Sequence, residues 1–336
     1  MQDWWIYRGT GRPHSGILRL PPPPPWRVFD GTPLVPPPSS LDGGVGRRLG
    51  EQHRAVSYRP RPDELELINA ALYLRRPLLI TGKPGVGKST LAYAVAHELA
   101  LGPVLRWPIT SRSTLAEGLY SYDAIGRLQE ASLHHQLGTT GDLQIGRYLR
   151  LGPLGTALLP YEHPRVLLID EIDKSDVDLP NDLLNIFEEG EYPIPELQRI
   201  AASQPRVELP VDGSDDLVGV HRGVVRCNAF PLVLMTSNGE REFSPAFHRR
   251  CLRLDLGQPD AEQLGAIVAA HFGTEPTADT AELVELFLAR RERGTLATDQ
   301  LLNAIYLTVQ APDGGPPDRE RLADLVLRQL DAGPDS

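Results

Sequence analysis

A glycine-rich loop between an apolar run and a helix-like segment is the feature that most constrains how this chain folds. Residues 77–99 have the sequence PLLITGKPGVGKSTLAYAVAHEL. Leu78 to Ile80 are typical of a short buried strand, and Leu91, Val95 and Leu99 recur every fourth residue, as on one face of a helix. The segment therefore predicts a strand, a glycine loop and a helix in direct succession.

The loop has the spacing G-x-x-x-x-G-K-[ST], completed by Gly82, Gly87, Lys88 and Ser89. Glycines allow positive φ, so backbone N–H groups turn inward, and the following helix adds the positive end of its dipole. In this motif the lysine reaches the β- and γ-phosphates and the serine hydroxyl ligates Mg²⁺. A flexible turn that matches by chance is disfavoured because strand, loop and helix appear in the required order. The expected nucleotide-binding residues are Gly82, Pro84, Gly85, Val86, Gly87, Lys88, Ser89 and Thr90.

Length and composition exclude several classes of protein. A chain of 336 residues is long enough for about two domains. It has no apolar stretch behind basic residues at its start and no apolar run of about 18 residues, so we expect a cytoplasmic protein without a membrane segment. The net charge of −10 disfavours a large nucleic-acid interface. Cys227 and Cys251 lack metal-ligand spacing, which predicts reduced thiols rather than a metal site.

Residues 1–50 differ in composition from the rest of the chain. They contain the proline runs 21–25 and 36–38, which favour polyproline II and loops over a packed core. We expect either an arm that docks on a neighbouring subunit or partner, or a disordered linker. The aromatic anchors of such an arm would be Trp4, Trp5, Tyr7 and Trp26.

A second apolar run, Val166 to Ile169, ends in Asp170 and Glu171. Such a run is typical of a strand buried on both faces of a parallel sheet, and its carboxylates then lie at the carboxyl edge, where α/β ligands bind. We expect Asp170 to hold Mg²⁺ and Glu171 to orient and polarise the attacking water. The alternative is a solvated strand end.

A third apolar run, FPLVLMTSN, ends in Asn238. A polar residue there can reach the γ-phosphate or its water, although Asn238 followed by glycine also fits a simple turn. Next comes SPAFHRRC, a short helix that ends in Arg249 and Arg250 and precedes another strand. An arginine that completes a neighbour's nucleotide site is a known device in phosphoryl transfer.

The remaining segments complete the predicted order of elements. A helix begins with Asp63 as its cap, Leu119 to Tyr122 lie in a loop, and residues 134–146 form an insertion. Arg206 to Leu209 and Leu217 to Val220 predict a hairpin inserted within residues 190–226. From Pro259 the pattern is wholly helical. The four predicted helices lie near residues 260–272, 278–293, 298–309 and 317–331.

Taken in order, these motifs resemble the AAA+ ATPases and, among them, the MoxR branch. The resemblance covers residues 58 to about 310 and rests on GKPGVGKST, LGPL, VLLIDEIDKSD and MTSNGEREFSPAFHRRCLRL. It implies an α/β fold, in which a P-loop parallel sheet flanked by helices is followed by a small helical lid domain. The implied domains are an arm or linker over residues 1–50, a nucleotide-binding domain over 51–257 and a lid over 258–336.

The resemblance also assigns roles to individual residues. It makes Asp170 the Mg²⁺ residue, Glu171 the residue that activates water and Asn238 the first sensor. Arg250 lies at the position of the arginine finger, and Arg249 is a close rival. The inserts at residues 134–151 and 190–226 match the helix-2 insert and the pre-sensor-1 hairpin, which line or approach the central pore of such rings.

One position departs from the family pattern. An arginine is expected near the start of the third lid helix, where this chain has Thr298. If Arg290, Arg291 or Arg293 replaces this arginine, it would have to approach the nucleotide from a different angle. The departure implies a weak or partner-dependent ATPase.

The resemblance implies a Mg²⁺-dependent ATPase that works as a ring, usually of six subunits, and remodels or activates a partner protein. In this branch the partner often contains a von Willebrand factor A domain. One alternative is a nucleotide-dependent switch whose bound state matters more than turnover. Another alternative, a motor or loader on nucleic acid, is disfavoured by the acidic balance.

Overall fold

Five parallel strands form the central sheet, in the order β11-β1-β10-β5-β2. The computed structural model describes residues 2–36, 58–137, 144–272, 278–291 and 298–309. The strands are β1 (Leu78–Thr81), β2 (Leu105–Pro108), β3 (Tyr120–Tyr122), β4 (Leu149–Leu151), β5 (Val166–Asp170), β6 (Glu191–Pro193), β7 (Arg206–Pro210), β8 (Leu217–His221), β9 (Val224–Arg226), β10 (Leu232–Ser237) and β11 (Leu252–Asp255).

Helices cover both faces of this sheet and follow it in the chain. They are α1 (Pro62–Leu74), α2 (Lys88–Glu98), α3 (Leu115–Leu119), α4 (Ala124–Leu137), α5 (Pro153–Ala157), α6 (Leu179–Glu189), α7 (Pro195–Ile200), α8 (Pro245–Arg250), α9 (Ala261–Phe272), α10 (Ala278–Arg291) and α11 (Thr298–Val309). None of the helices in the described ranges is long and apolar enough to cross a membrane.

The central strands are buried on both faces, as their continuous apolar sequences predicted. In β5, Val166 and Leu168 belong to the core cluster that contains α1 and α2, whereas Leu167 and Ile169 belong to the cluster on the other face. This alternation follows from the two-residue period of a strand. The predicted α/β fold, with a parallel sheet flanked by helices, is confirmed.

The structure corrects two local predictions. The helix α1 begins at Pro62 with Arg61 as its N-cap and no side-chain cap, so Asp63 does not cap it. Proline suits this first position because it lacks the N–H group that would stay unpaired there. Leu119 to Tyr122 were predicted as a loop, but Leu119 ends α3 and Tyr120 to Tyr122 form β3, which pairs antiparallel with β4.

The two predicted insertions have different outcomes. The hairpin is confirmed, because β7 and β8 pair antiparallel from Arg206 opposite His221 to Pro210 opposite Leu217, within a sheet of order β6-β9-β8-β7. The insertion at residues 134–146 begins inside α4, which extends to Leu137, and residues 138–143 lie outside the described part of the chain.

The helices α9, α10 and α11 have a core of their own, separate from the sheet. Leu264, Val284, Phe287 and Leu301 are among its buried residues. Three of the four predicted terminal helices are therefore present, and the fourth, near residues 317–331, lies outside the described residues.

Residues 2–36, which we call the N-terminal strap, pack against their own chain rather than extending from it. Packing against the same chain was not among the sequence expectations, and residues 37–50 of the predicted arm or linker lie outside the described residues. Trp5 and Tyr7 are buried in the core cluster that contains α1 and α2, whereas Trp26 is 75% exposed. The Asn69 side chain accepts hydrogen bonds from the backbone N–H groups of Ile6 (2.7 Å) and Tyr7 (2.9 Å).

A buried carboxylate at the end of α2 holds the next part of the strap. Glu98 is fully buried, and its two oxygens accept hydrogen bonds from the backbone N–H groups of Arg8 (2.7 Å), Gly9 (3.1 Å) and Gly11 (2.9 Å). Nε2 of His14 lies 3.1 Å from the same carboxylate. Polar side chains on α1 and α2 thus fix a segment that has little regular structure.

Farther along, the strap contacts residues of the core cluster on the other face of the sheet. The buried Arg27 donates hydrogen bonds to the carbonyls of Phe187 (2.9 Å) and Arg75 (2.7 Å), and its guanidinium lies 4.6 Å from the centre of the Phe230 ring. The N–H group of Gly31 donates to the carbonyl of Cys227 at 2.9 Å. The strap therefore extends from the core cluster on one face of the sheet to the core cluster on the other face.

Candidate functional site

The glycine loop between β1 and α2 has the conformation that its motif predicted. Gly82, Gly85 and Gly87 have φ of 150°, 77° and 93°. A Cβ at Gly82 would lie 2.6 Å from the carbonyl oxygen of Leu256, so only glycine fits there. The helix α2 then begins at Lys88, directly after the loop.

Lys88 lies between the glycine loop and the end of β10. Its Nζ donates hydrogen bonds to the carbonyls of Gly82 (2.7 Å) and Lys83 (3.0 Å) and to Oδ1 of Asn238 (2.7 Å). Burial lowers the pKa of Lys88, and nearby carboxylates offset part of this effect. Because β1 and β10 are neighbours, the sheet itself brings Lys88 and Asn238 together.

Asp170, at the end of β5, accepts hydrogen bonds on both carboxylate oxygens. Oδ1 accepts from Oγ of Ser89 (2.7 Å) and from Oγ1 of Thr236 (2.8 Å). Oδ2 accepts from Nη2 (2.7 Å) and Nε (3.3 Å) of Arg106 on β2. Burial acts to raise the pKa of Asp170, but these hydrogen bonds outweigh it and leave the pKa below its usual value.

The residues predicted to ligate Mg²⁺ are in contact with each other. Ser89 and Asp170 offer a hydroxyl and a carboxylate, the oxygen donors that Mg²⁺ prefers, and a Mg²⁺ bound with a nucleotide needs only one or two protein ligands. In the described ranges no three or more His, Cys, Asp or Glu residues group as a metal site. The pair therefore fits a metal that is bound together with phosphates.

Glu171 has an unusual backbone conformation, with φ 62° and ψ 50°. Left-handed geometry is strained for a residue with a Cβ, and such strain is concentrated at functional sites. Its N–H group donates to Oγ1 of Thr236 at 2.8 Å, while Oε2 accepts from Nζ of Lys174 at 2.7 Å. Oε1 lies 3.5 Å from Nδ2 of Asn238. Glu171 and Asn238 are thus adjacent.

Three residues around these carboxylates were not singled out from the sequence. They are Arg106, Thr236 and Asp173. Oδ2 of the buried Asp173 accepts hydrogen bonds from the backbone N–H groups of Asn238 (2.8 Å) and Glu240 (3.1 Å), so it fixes the loop that carries Asn238. Thr236 directly precedes Ser237 and Asn238 in the run TSN. This polar run at the end of an apolar strand is the sequence feature that could have identified Thr236 as a site residue.

Lys88, Ser89, Asp170, Glu171 and Asn238 line a cleft of about 650 Å³. Its lining also includes Tyr58 and Arg59, which precede α1, and Thr298 and Leu302 of α11. Arg291 donates a hydrogen bond to the carbonyl of Pro259 at 2.7 Å. Among the described residues, the cleft lining includes Thr298 but neither Arg290 nor Arg291. Arg293 lies outside the described residues.

The sequence pattern of one domain family matches the segment that builds this site. The family is the AAA domain, dynein-related subfamily, and the match covers residues 77–251, just over half of the 336 residues. The chain belongs to this AAA family. Its match begins directly before β1 and ends directly after α8.

Three solved structures are similar to this AAA chain at low identity. NtrX from Brucella abortus in complex with ADP has 14% identity and a TM-score of 0.40, over 87% of this chain and 60% of that chain. Domain III of the Thermotoga maritima replication initiation protein DnaA has 17% identity and a TM-score of 0.39, over 88% and 98%. The Thermotoga maritima RuvB Holliday junction branch migration motor has 17% identity and a TM-score of 0.37, over 87% of this chain and 70% of that chain. The AAA chain thus spans 60% of the length of the NtrX chain.

Arg249 and Arg250 of the AAA domain are not brought to the cleft of their own chain. They end α8, and the N–H group of Leu252, at the start of β11, donates to the carbonyl of Pro77, just before β1. The glycine loop follows the carboxyl end of β1. Because β1 has four residues, this end lies about 13 Å from its amino end. Nε of Arg250 donates instead to Oε1 of Glu188 at 3.2 Å.

Proposed function

We propose that this AAA protein is a Mg²⁺-dependent ATPase of MoxR-like type, which hydrolyses ATP at the boundary between subunits of a ring. The observation that carries the proposal is the convergence of five side chains in the lining of the cleft. The ends of β5 and β10 and the glycine loop with the start of α2 supply them. They are Lys88, Ser89, Asp170, Glu171 and Asn238.

Each of these side chains has a role that follows from its position. Lys88 binds the β- and γ-phosphates, and residues Gly82 to Thr90 surround the triphosphate. Glu171, which lies next to Asn238, orients and polarises the attacking water, and Asn238 senses the γ-phosphate. Ser89 and Asp170 would hold Mg²⁺, which when bound neutralises charge that develops on the phosphates.

The placement of Arg249 and Arg250 supports a site shared between subunits. Both lie at the amino end of the sheet, whereas the cleft lies at its carboxyl end, so neither can reach the nucleotide of its own chain. Any closed ring that brings these two edges of neighbouring subunits together places the arginines of one subunit beside the cleft of the next. Arg250, with Arg249 as its rival, then completes the neighbour's site.

We further propose that the ring couples this cycle to a partner protein, with a von Willebrand factor A domain as the first class to test. Residues 51–257 form the nucleotide-binding domain and residues 258–336 the lid in this proposal. Hydrolysis then moves the lid, which forms part of the cleft wall, relative to the core. A ring of six subunits follows the MoxR pattern.

A second candidate is a nucleotide-dependent switch with weak turnover. The observation in its favour is Thr298, which lines the cleft where the family pattern has an arginine. The bound nucleotide, rather than repeated hydrolysis, would then control the partner.

The substitution Glu171→Gln separates the two candidates. The variant is expected to bind ATP with wild-type affinity and to hydrolyse it very slowly, whereas Lys88→Ala is expected to lose nucleotide binding. Normal turnover by Glu171→Gln would remove Glu171 from the proposed role. If Glu171→Gln loaded with ATP retains full cellular function, the switch replaces the motor. Proteins that co-purify with this trapped variant identify the partner.

A further inference from the structure

Arg106 makes a close contact with a carboxylate to which the motif assigns a metal. It lies on β2, next to β5, and its side chain reaches two residues along the sheet to Asp170. Both Nη2 and Nε donate to the same oxygen, Oδ2, at 2.7 and 3.3 Å. The side chain of Arg106 is 48% exposed and lines the cleft, whereas that of Asp170 is 10% exposed.

These contacts use the whole hydrogen-bonding capacity of Asp170. A carboxylate offers about four lone-pair sites. Ser89 and Thr236 donate to Oδ1, and the two Arg106 groups donate to Oδ2. A metal, or a water bound to it, therefore reaches Asp170 only where one of these donors leaves.

Arg106 is the donor whose departure costs least. Thr236 is fixed, because its hydroxyl also accepts the N–H group of Glu171. Ser89 is itself a proposed metal ligand and stays beside Asp170. Arg106 instead has a long, half-exposed side chain, so water solvates its guanidinium when it leaves, and the arriving metal replaces its positive charge beside the buried Asp170.

We propose that Arg106 is a positioning residue that balances the charge of Asp170 in the metal-free site and competes with the metal for this carboxylate. The inference rests on the proposed function of the cleft as a nucleotide site. While Arg106 is paired, Asp170 repels the phosphates less, so the site accepts a nucleotide without the metal. When Arg106 is released, its guanidinium remains beside the phosphates.

A purely structural role gives a different expectation. Within the central sheet β2 is an edge strand, and a salt bridge to β5 could serve only to hold it there. Loss of such a bridge would disturb the site and weaken the binding of nucleotide and metal together. Competition instead predicts that loss of Arg106 weakens the binding of nucleotide without metal and strengthens the binding of Mg²⁺ to the protein–nucleotide complex.

The test uses the full-length protein with a fluorescent N-methylanthraniloyl derivative of ADP. One titration measures its Kd in EDTA, and a second measures the Mg²⁺ concentration that half-saturates the protein–nucleotide complex. Arg106→Ala is expected to raise the Kd in EDTA about threefold or more and to lower the half-saturating Mg²⁺ about three- to tenfold, as for a partly exposed ion pair. Arg106→Gln is expected to change both in the same directions, and it serves if the alanine variant is unstable.

Arg112→Ala is the matched control, because it removes the same charge from an exposed arginine outside the cleft lining. It is expected to leave both quantities near their wild-type values. The inference is overturned if Arg106→Ala leaves the half-saturating Mg²⁺ unchanged or raises it, or if Arg112→Ala reproduces the effect. Wild-type protein that binds no nucleotide would instead overturn the proposed function, so the two failures are distinguishable.

Discussion

Replacement of Asp173 tests how the loop that carries Asn238 is held. Asp173 is buried, and its Oδ2 accepts hydrogen bonds from the backbone N–H groups of Asn238 at 2.8 Å and Glu240 at 3.1 Å. Asp173→Ala leaves both donors without this acceptor. Asp173→Asn keeps one acceptor oxygen but removes the charge. The two variants therefore separate loss of the acceptor from loss of the charge.

The magnitude follows from these two contacts. A hydrogen bond to a charged group contributes about 1.5–3 kcal/mol, which gives an upper limit of about 6 kcal/mol for the pair. Asn238 and Glu240 are themselves partly exposed, so water replaces part of what is lost. We expect Asp173→Ala to lower the free energy of unfolding by about 2–4 kcal/mol and Asp173→Asn by about half as much.

Urea unfolding of the chain, followed by circular dichroism, measures both changes from the midpoint at constant slope. Asp178→Ala is the matched control, because Asp178 is an exposed N-cap whose side chain makes no capping hydrogen bond. It is expected to change stability by no more than about 0.5 kcal/mol. A loss for Asp173→Ala as small as that of the control would refute the reasoning. Equal losses for the alanine and asparagine variants would show that the charge alone matters.

Two further predictions concern the strap and the thiols. Glu98→Ala removes the acceptor of three strap N–H groups, so trypsin is expected to cleave the strap faster than in wild type, and an unchanged cleavage rate would argue against this anchor. Burial raises the pKa of the Cys227 and Cys251 thiols to about 12, so both are expected to resist Ellman's reagent at pH 8 until the protein is unfolded in urea. Burial of the two neutral thiols contributes fully to stability below the unfolded-state thiol pKa of about 8.5. Above that pH the thiols ionise only in the unfolded chain, so the free energy of unfolding falls as the pH rises towards the folded-state pKa. Measurement of the free energy of unfolding at several pH values above about 8.5 checks this expectation.

The sequence predicted those features that local pattern determines. The runs that became β5 and β10 were identifiable because strands buried on both faces have continuous apolar sequences. The positive φ values of Gly82 and Gly87 follow from a motif that needs glycine at these positions. The acidic residues after one such strand and Asn238 after the other were found for the same reason.

Features that depend on which elements become neighbours were not predictable in this way. The contact between Arg106 and Asp170 requires β2 to pair with β5, and no local pattern gives that order. Tyr120 to Tyr122 form a strand only because β4, much later in the chain, pairs with them. The sequence offered docking of this segment as one alternative but not docking on its own chain, because the groups that hold it, such as Glu98, lie in distant helices.

We propose that the nucleotide site is shared between subunits, and the activity of mixtures of two inactive variants tests this proposal most directly. Glu171→Gln lacks the residue proposed to activate water but keeps Arg250, whereas Arg250→Ala keeps Glu171. Because Arg249 is a rival, Arg249→Ala is measured in parallel with the same partner. We predict that each inactive variant hydrolyses ATP slowly alone and that their mixture recovers a clear fraction of wild-type turnover, which rises with protein concentration. A mixture no faster than the sum of its components, together with a wild-type rate per subunit that stays constant on dilution, would contradict the account.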